Sequence, residues 1–557
     1  MIPTYEQIVE QMTGPGGPFE IVVEDVGGLP MKNFKNRERC IREKLAAAAG
    51  RGDSPAIVYG QRRIGYAEFA RTCFGVAQAM IRDHGLAKGD RVAILAVNRP
   101  EWLYAAFGAT SAAGIGVALN GWWQTEELEY GLNDSGSRFL VVDDRLWPRV
   151  APIVANIATL EKIFYIGDNA PAGTIAFSSL MEPTDDVPTV PIDEDDPFMI
   201  LYTSGTTGRS KGCITTHRGT ITQVLGIVFA GMANSILSGT EIMPTGGQPA
   251  SLLTSPLFHV GGLHSGVCTQ ITAGVKMVFL EGKFDPERVM QTIAAEKITM
   301  WPAIPTMLHR VVHAPNIGTY DLSSLRSVSF GGAPTAPETI DRAREVLPVE
   351  PTFTNAYGLT ETHGVATVNA GKSLLGRKTS AGRAAPFLDC RIIDEKGDAV
   401  APGVLGEVLF YGPTITPGYW NRPDATAETV RDGWLYTGDL GYLDDEGFLF
   451  IVDRAKDMIL RGGENVYCTE IENLLADHPE IDEAAVIGVP DAEMGERVKA
   501  IVRRMAGSKL DADAVRRHVA AHMASFKVPE FVEFTDEPLP HNPAGKLLKN
   551  QLRKAAA

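Results

Sequence analysis

The sequence predicts an α/β protein: a large N-terminal domain of parallel α/β subdomains plus a distorted β-barrel, followed by a small α+β C-terminal domain. Three observations predict it. Short apolar runs alternate with amphipathic helical runs, as parallel strands with helices on both faces require. After about residue 380 the texture changes to short strands separated by Gly, Pro and Asp turns, which reads as a smaller all-β section. From Asp457 onward a compact α+β pattern follows. The length of 557 residues suits three or four units at ~150 residues per domain, enough to bury a large core without disulfides or metals.

Taken in order, 91–97 (RVAILAV) and 138–144 (RFLVVDD) are continuous apolar runs of strand length, expected of strands buried on both faces. Segments 162–167, 198–203, 275–280 and 325–330 share that pattern. Helical spacing marks 66–83, 286–296 and 336–347, the last with Thr335 as its expected N-cap. Segment 231–255 has little periodicity and several Gly and Pro, so it reads as a surface loop or lid, or alternatively as a substrate-channel rim. The all-β section supplies strands at 390–394, 406–411 and 448–452. The last part supplies a helix at 469–477, strands at 484–489 and 498–503, and a helix at 512–523. No internal repeat or low-complexity tract interrupts the chain.

Composition excludes several classes. Lys and Arg total 52 against 68 Asp and Glu, a net charge of −16 that argues against a nucleic-acid binder while permitting a local basic pocket. The six cysteines are widely spaced and form no CxxC pair or zinc pattern, which suits a reducing cytoplasmic setting. The first residues are acidic and unlike a signal peptide, and RKAAA at the end is no peroxisomal address. The longest mostly apolar stretch, 105–119, is too short to span a bilayer, so no integral membrane segment is expected.

The strongest chemical signal is 201–212, LYTSGTTGRSKG. An apolar strand runs into closely spaced glycines, hydroxyls and a lysine. Glycines allow backbone N–H groups to approach a ligand, and Thr203, Ser204, Thr206 and Thr207 add hydroxyl donors beside Gly205 and Gly208. Lys211 adds a charge, so the loop is suited to phosphate oxygens. It is not a Walker A loop, since GxxxxGK[ST] is not matched. A flexible surface hairpin is the bland alternative.

This segment resembles the phosphate loop of the adenylate-forming superfamily, which includes acyl-CoA synthetases, firefly luciferase and peptide-synthetase adenylation domains. Four further motifs follow in the family's order: 355–362 (NAYGLTET), 436–440 (YTGDL), 453–472 (DRAKDMILRGGENVYCTEIE) and 542–546 (NPAGK). The resemblance implies an N-terminal adenylation domain over 1–455 and a mobile C-terminal domain over 456–557, hinged at Lys456. It implies that Tyr357 lies against adenine beside Gly358, with the backbone of Gly331, Gly332, Ala333 and Pro334 (GGAP) passing the adenine and acyl pocket. Thr360 would hydrogen-bond the α-phosphate, and Glu361 with Thr203 would hold Mg²⁺. Asp439 would accept from both ribose hydroxyls, with Arg454 adding a ribose or phosphate contact. Read alone, Thr-Gly-Asp is a solvated turn, and Lys456 a solvated lysine.

Lys546 would bridge the carboxylate and the ATP α-phosphate, two anions whose approach is electrostatically opposed. His259, in PLFHVGGL, would border the carboxylate pocket; a satisfied core histidine is its bland reading. The implied reaction makes an acyl-adenylate and pyrophosphate from a carboxylic acid and ATP. The small domain then rotates, Lys546 leaves, and Gly462, Gly463 and Glu464 enter to form the path of the coenzyme A thiol. The expected substrate is a medium- or long-chain fatty acid, then a bulky aryl or polycyclic carboxylate. The candidate acyl-pocket walls are Phe258, His259, Trp301, Ala303, Thr306, Phe330, Gly331 and Gly332. Trp122 and Trp123 read as core packing rather than channel lining. No fused carrier domain follows Lys546, so coenzyme A is the expected acceptor; an acyl-AMP ligase loading a separate carrier protein is the alternative. Family members are monomers or dimers, which leaves a homodimer open. A kinase-like ATPase is the competing class, and it would release ADP rather than AMP.

Overall fold

The computed structural model describes residues 3–203, 210–239, 247–333, 335, 337–348, 351–461, 464–491, 494–542 and 545–556. Two mostly parallel sheets form its body. The seven-stranded one runs, edge to edge, Lys211–Thr216, Pro197–Thr203, Ile115–Ala118, Arg91–Leu95, Phe139–Asp143, Lys162–Ile166, Ile175–Ala176. The nine-stranded one has Lys276–Phe279, Ala250–Leu253, Met300–Ala303, Ser327–Gly331 and Thr352–Leu359 in its parallel centre, with antiparallel strands at its edges. Helices Tyr66–Arg82 and Pro100–Ser111 lie in the largest core cluster, which also joins Val92 and Ile94 of one sheet to Ile57 and Met277 of the other. Pro100–Ser111 is buried on every side, which explains why it lacks helical periodicity in the sequence.

The expected strands and helices recur within a residue or two at most of their ends. Segment 231–255 is the exception. Its start is the last turns of a long helix, His217–Ser238, and Ala250–Leu253 is a fully buried strand inside the nine-stranded sheet, so neither of these parts is a surface loop. A four-residue strand with neighbours on both sides carries no alternation to read. Residues 240–246 lie outside the described set. Thr335 does not cap Pro337–Val346: its hydroxyl is buried without a hydrogen-bond partner among the described residues. Among the described residues one helix, His217–Ser238, is long and apolar enough by length and composition to cross a membrane. Within the chain it packs on the nine-stranded sheet, with Gly219 against the His363 ring and Gly226 against Phe387.

The all-β section is a five-stranded antiparallel sheet of Asp389–Ile393, Gly406–Tyr411, Val430–Arg431, Trp434–Leu443 and Leu449–Arg454. Bulges near Val408 and Gly441 curl it, and its Val408, Phe410 and Leu449 pack in one core with Phe34 and with Phe229 of the long helix. A separate five-stranded sheet begins at Ile459, with Ile481–Asp491 and Gly495–Arg504 as its long hairpin, covered by Cys468–Ala476 and Ala512–His522.

Candidate functional site

Parallel strands end on one side of the nine-stranded sheet, and the crevice outside those carboxyl ends is where α/β folds place ligands. Here it is a cavity of about 1750 Å³. Thr203 ends one strand and Lys211 begins the next, so both flank the segment 204–209 at the cavity wall. Gly332 follows Ser327–Gly331 at φ +82°, a left-handed turn that glycine adopts without strain. Gly358, Thr360 and Glu361 reach the cavity from Thr352–Leu359 and the short 3₁₀ turn after it. Arg454, Lys456 and Lys546 close it from the opposite side. Lys546 gets there on a tight turn in which the Asn542 N–H donates to the Lys546 carbonyl at 2.8 Å, with Gly545 at φ +75° against Ile304 and Thr306 of the large body.

Glu361 is held by a small network that the sequence does not announce. The Tyr419 hydroxyl donates to Glu361 Oε1 at 2.6 Å, and the Lys211 ammonium sits 5.1 Å over the Tyr419 ring. Behind it His363 is fully buried: its Nε2 accepts from the Thr216 N–H at 2.8 Å while Nδ1 donates to the Thr414 carbonyl at 2.7 Å. Both ring nitrogens are used by the neutral form, and burial pushes the ring pKa down to about 4. That ties the turn bearing Glu361 to the strand after Lys211. One carboxylate with nearby Thr203 and Thr360 hydroxyls fits Mg²⁺, which prefers few protein oxygens plus phosphate and water. Among the described residues no group of three His, Cys, Asp or Glu could cage a metal alone. Tyr419→Phe removes the hydroxyl donor to Glu361; a hydrogen bond to a charged group supports an expected loss of about tenfold in ATP-dependent turnover, measured against unchanged thermal stability.

Charge concentrates on the other wall. Asp439 is 3% exposed, accepts from the Tyr357 hydroxyl at 2.5 Å and pairs with Arg454 at 3.1 Å. Burial, and then the Asp439 charge, push the Tyr357 hydroxyl pKa well up, so it stays a donor. The Tyr357 ring lies 6.2 Å from Phe410. Burial and the Arg454 charge push Lys546 down to about 7 and Lys456 down to about 8. Arg454, Lys456 and Lys546 around one buried carboxylate form a site that favours a polyanionic ligand.

Of the expected site residues, Thr203, Lys211, His259, Gly332, Gly358, Thr360, Glu361, Arg454, Lys456 and Lys546 meet at this cavity. Tyr357 and Asp439 stand directly behind its wall, bonded to each other. Ala333 and Glu464 do not line it, and Ser204, Gly205, Thr206, Thr207, Gly208, Pro334, Gly462 and Gly463 lie outside the described residues. His259 lines the cavity, its Nε2 has no hydrogen-bond partner among the described residues, and burial lowers its pKa to about 4. Of the expected acyl-pocket walls, Phe258, Trp301 and Thr306 are not in the lining; Trp301 points into the opposite core and bonds Thr254 through its indole N–H. Trp123 is core, as expected, whereas Trp122 is 58% exposed. Sequence reasoning missed Tyr419, His363 and Tyr130. Tyr130 donates to the Ser210 carbonyl at 3.0 Å and so anchors the end of the Gly-rich segment. A lone Tyr in TPGYW or an amphipathic helix carries no signal of such a role.

The family model described as AMP-binding enzyme matches residues 45–420, and that of the AMP-binding enzyme C-terminal domain matches 470–546. The chain is 36% identical over 499 residues to a feruloyl-CoA synthase of an Amycolatopsis species, covering 90% of this chain and 95% of that protein. It is 34% identical to a long-chain-fatty-acid–CoA ligase of Bacillus subtilis over 560 residues, covering 94% and 95%. The ATP-bound structure of MatB from Rhodopseudomonas palustris superposes with a TM-score of 0.81 at 29% identity, covering 92% of this chain and 98% of that one.

Proposed function

Since the chain belongs to the AMP-binding enzyme family and is an acid–thiol ligase of the AMP-forming kind, we propose that it joins a long or bulky carboxylic acid to coenzyme A through an acyl-adenylate. The carrying observation is that Lys546, from the C-terminal part, shares one cavity with Thr203, Lys211, Thr360 and Glu361 of the large body. ATP phosphates would lie along Thr203, the 204–209 segment, Lys211 and Thr360. Ribose hydroxyls would donate to Asp439, whose second partner is Arg454. Mg²⁺, held by Glu361 and Thr203, would supply neutralising charge on the phosphates. Lys546 would offset repulsion between the incoming carboxylate and the α-phosphate, and would stabilise charge developing at phosphorus. His259, neutral at physiological pH, would offer Nε2 to the acid without adding charge. A boundary at 455/456 with Lys456 as hinge would let the C-terminal domain withdraw Lys546 and bring the 462–465 loop to the thiol path.

The test is pyrophosphate release with ATP and Mg²⁺ across a panel of carboxylic acids, with and without coenzyme A. Acid-dependent pyrophosphate that speeds up with coenzyme A is expected. Release indifferent to coenzyme A would point to a carrier-protein acceptor, and ADP in place of AMP would overturn adenylation.

A further inference from the structure

The cavity does not stop at the strand ends. It runs back along one face of the nine-stranded sheet, beneath His217–Ser238 and the π-helix Gly261–Cys268. Register fixes its floor. Gly331 pairs with Ala356, and Ala356 with Val368; one row back, Pro302 pairs with Ser329, and Ser329 with Thr354; behind that, Met300 pairs with Ser327, and Ser327 with Thr352. All of these line the cavity, while the alternate residues Trp301, Val328 and Phe353 fill the core on the opposite face.

Only the first row of the floor is wholly apolar; Pro302 and Met300 continue apolar surface into the next two. Beyond the first row stand four hydroxyls, two by two, of Ser329, Thr354, Ser327 and Thr352, and none of them bonds another described residue. At the far end Gln270, only 5% exposed, faces the same space. Its backbone carbonyl accepts from Tyr66, but its amide has no partner among the described residues. An alkyl chain lying here would strip water from five polar groups and replace none of their hydrogen bonds, which is costly. A ligand with oxygen atoms on that flank would satisfy them.

We propose that the acid activated here is an elongated one that carries hydroxyl or carbonyl oxygens along the flank facing the sheet, not an unsubstituted alkyl chain. This rests on the ligase reading above. At ~3.3 Å per strand residue, the two hydroxyl rows lie about 7 and about 13 Å behind the Gly331 row, which sets where the oxygens sit.

The experiment compares matched acids: cholic acid against cholanic acid, the same rigid skeleton without hydroxyls, and a mid-chain hydroxystearic acid against stearic acid. Pyrophosphate release and calorimetric binding are both measured, on the wild type and on Thr354→Val, Ser329→Ala and Gln270→Leu. The oxygenated member of at least one pair is expected to have the higher kcat/KM and affinity. That preference should shrink about fivefold for each polar group removed. Equal preference within both pairs, a fall shared equally by both members in the variants, or no binding of any acid overturns the assignment. Preferential binding without pyrophosphate keeps it and overturns the ligase reading instead.

Discussion

Lys546→Ala is expected to lose about 10²–10³ in acid-dependent pyrophosphate release yet to keep thioester formation from supplied acyl-adenylate. The loss follows from where the ammonium sits. It reaches the shared cavity on the Asn542–Gly545 turn, braced against Ile304 and Thr306, beside Arg454 and Lys456. A preorganised charge aimed at two approaching anions acts where they meet. The thioester half is spared because, in the proposed cycle, Lys546 has left the site by then. Loss of both halves would sink the assignment. The pH profile gives a second readout. With its pKa lowered to about 7, Lys546 is cationic below that value and neutral above it in the free enzyme. kcat/KM for adenylation should therefore fall as pH rises through about 7, since this parameter reports the free enzyme. Lys546→Arg, which cannot lose its proton in that range, should flatten that limb even if its rate is lower.

Much of this site was legible because its chemistry is concentrated in short segments. Glycines and hydroxyls after an apolar strand, or a Gly-Lys turn near the end, stand out against ordinary composition. The fold was legible for a related reason: strands such as Arg91–Leu95 and Phe139–Asp143 are buried on both faces and read as unbroken apolar runs. What escaped depends on contacts between distant segments. Tyr419 meets Glu361 from 58 residues away, and His363 joins Thr216 to Thr414. The hydroxyl floor is equally invisible, because Ser327, Ser329, Thr352 and Thr354 look like routine polar positions of half-buried strands until register sets them side by side. The loop reading of 231–255 fails at its helical start, which is apolar on several faces, and at its four-residue strand, while Gly231, Met232, Asn234, Ser235 and Ser255 line the cavity as the channel-rim alternative expects.

Stability should fall steeply as pH drops from about 6.5 towards 5, and the sign follows from four buried histidines. Burial holds His259 and His363 down at about 4, and His217 and His264 at about 3, so each stays neutral in the folded chain through this window. Their bonding requires it: His217 Nδ1 accepts from the Ile41 N–H, and His363 Nε2 from the Thr216 N–H, which an imidazolium cannot do. In the unfolded chain all four protonate near the ordinary value of ~6.5, so the unfolded state binds more protons and gains on the folded one as pH falls. Burial also lowers His84, His309 and His478, which adds to the effect, while it raises the carboxyls of Asp143, Asp453 and Glu472, which opposes it. Asp477, raised to about 7 by burial and by Glu338 across the domain contact, keeps a proton when folded that it lacks when unfolded. The four histidines less Asp477 alone give an excess that approaches three protons, a slope of about 4 kcal/mol per pH unit at its steepest. Lys456 and Lys546 are protonated in both states there; they act above pH 7, where their lowered pKa values make stability rise with pH. All seven tryptophans precede residue 456, so their fluorescence reports unfolding of the body that holds the four histidines. The urea midpoint read this way should drop through the window, and a midpoint unchanged between pH 6.5 and 5 would mean that these histidines accept protons without unfolding the chain around them.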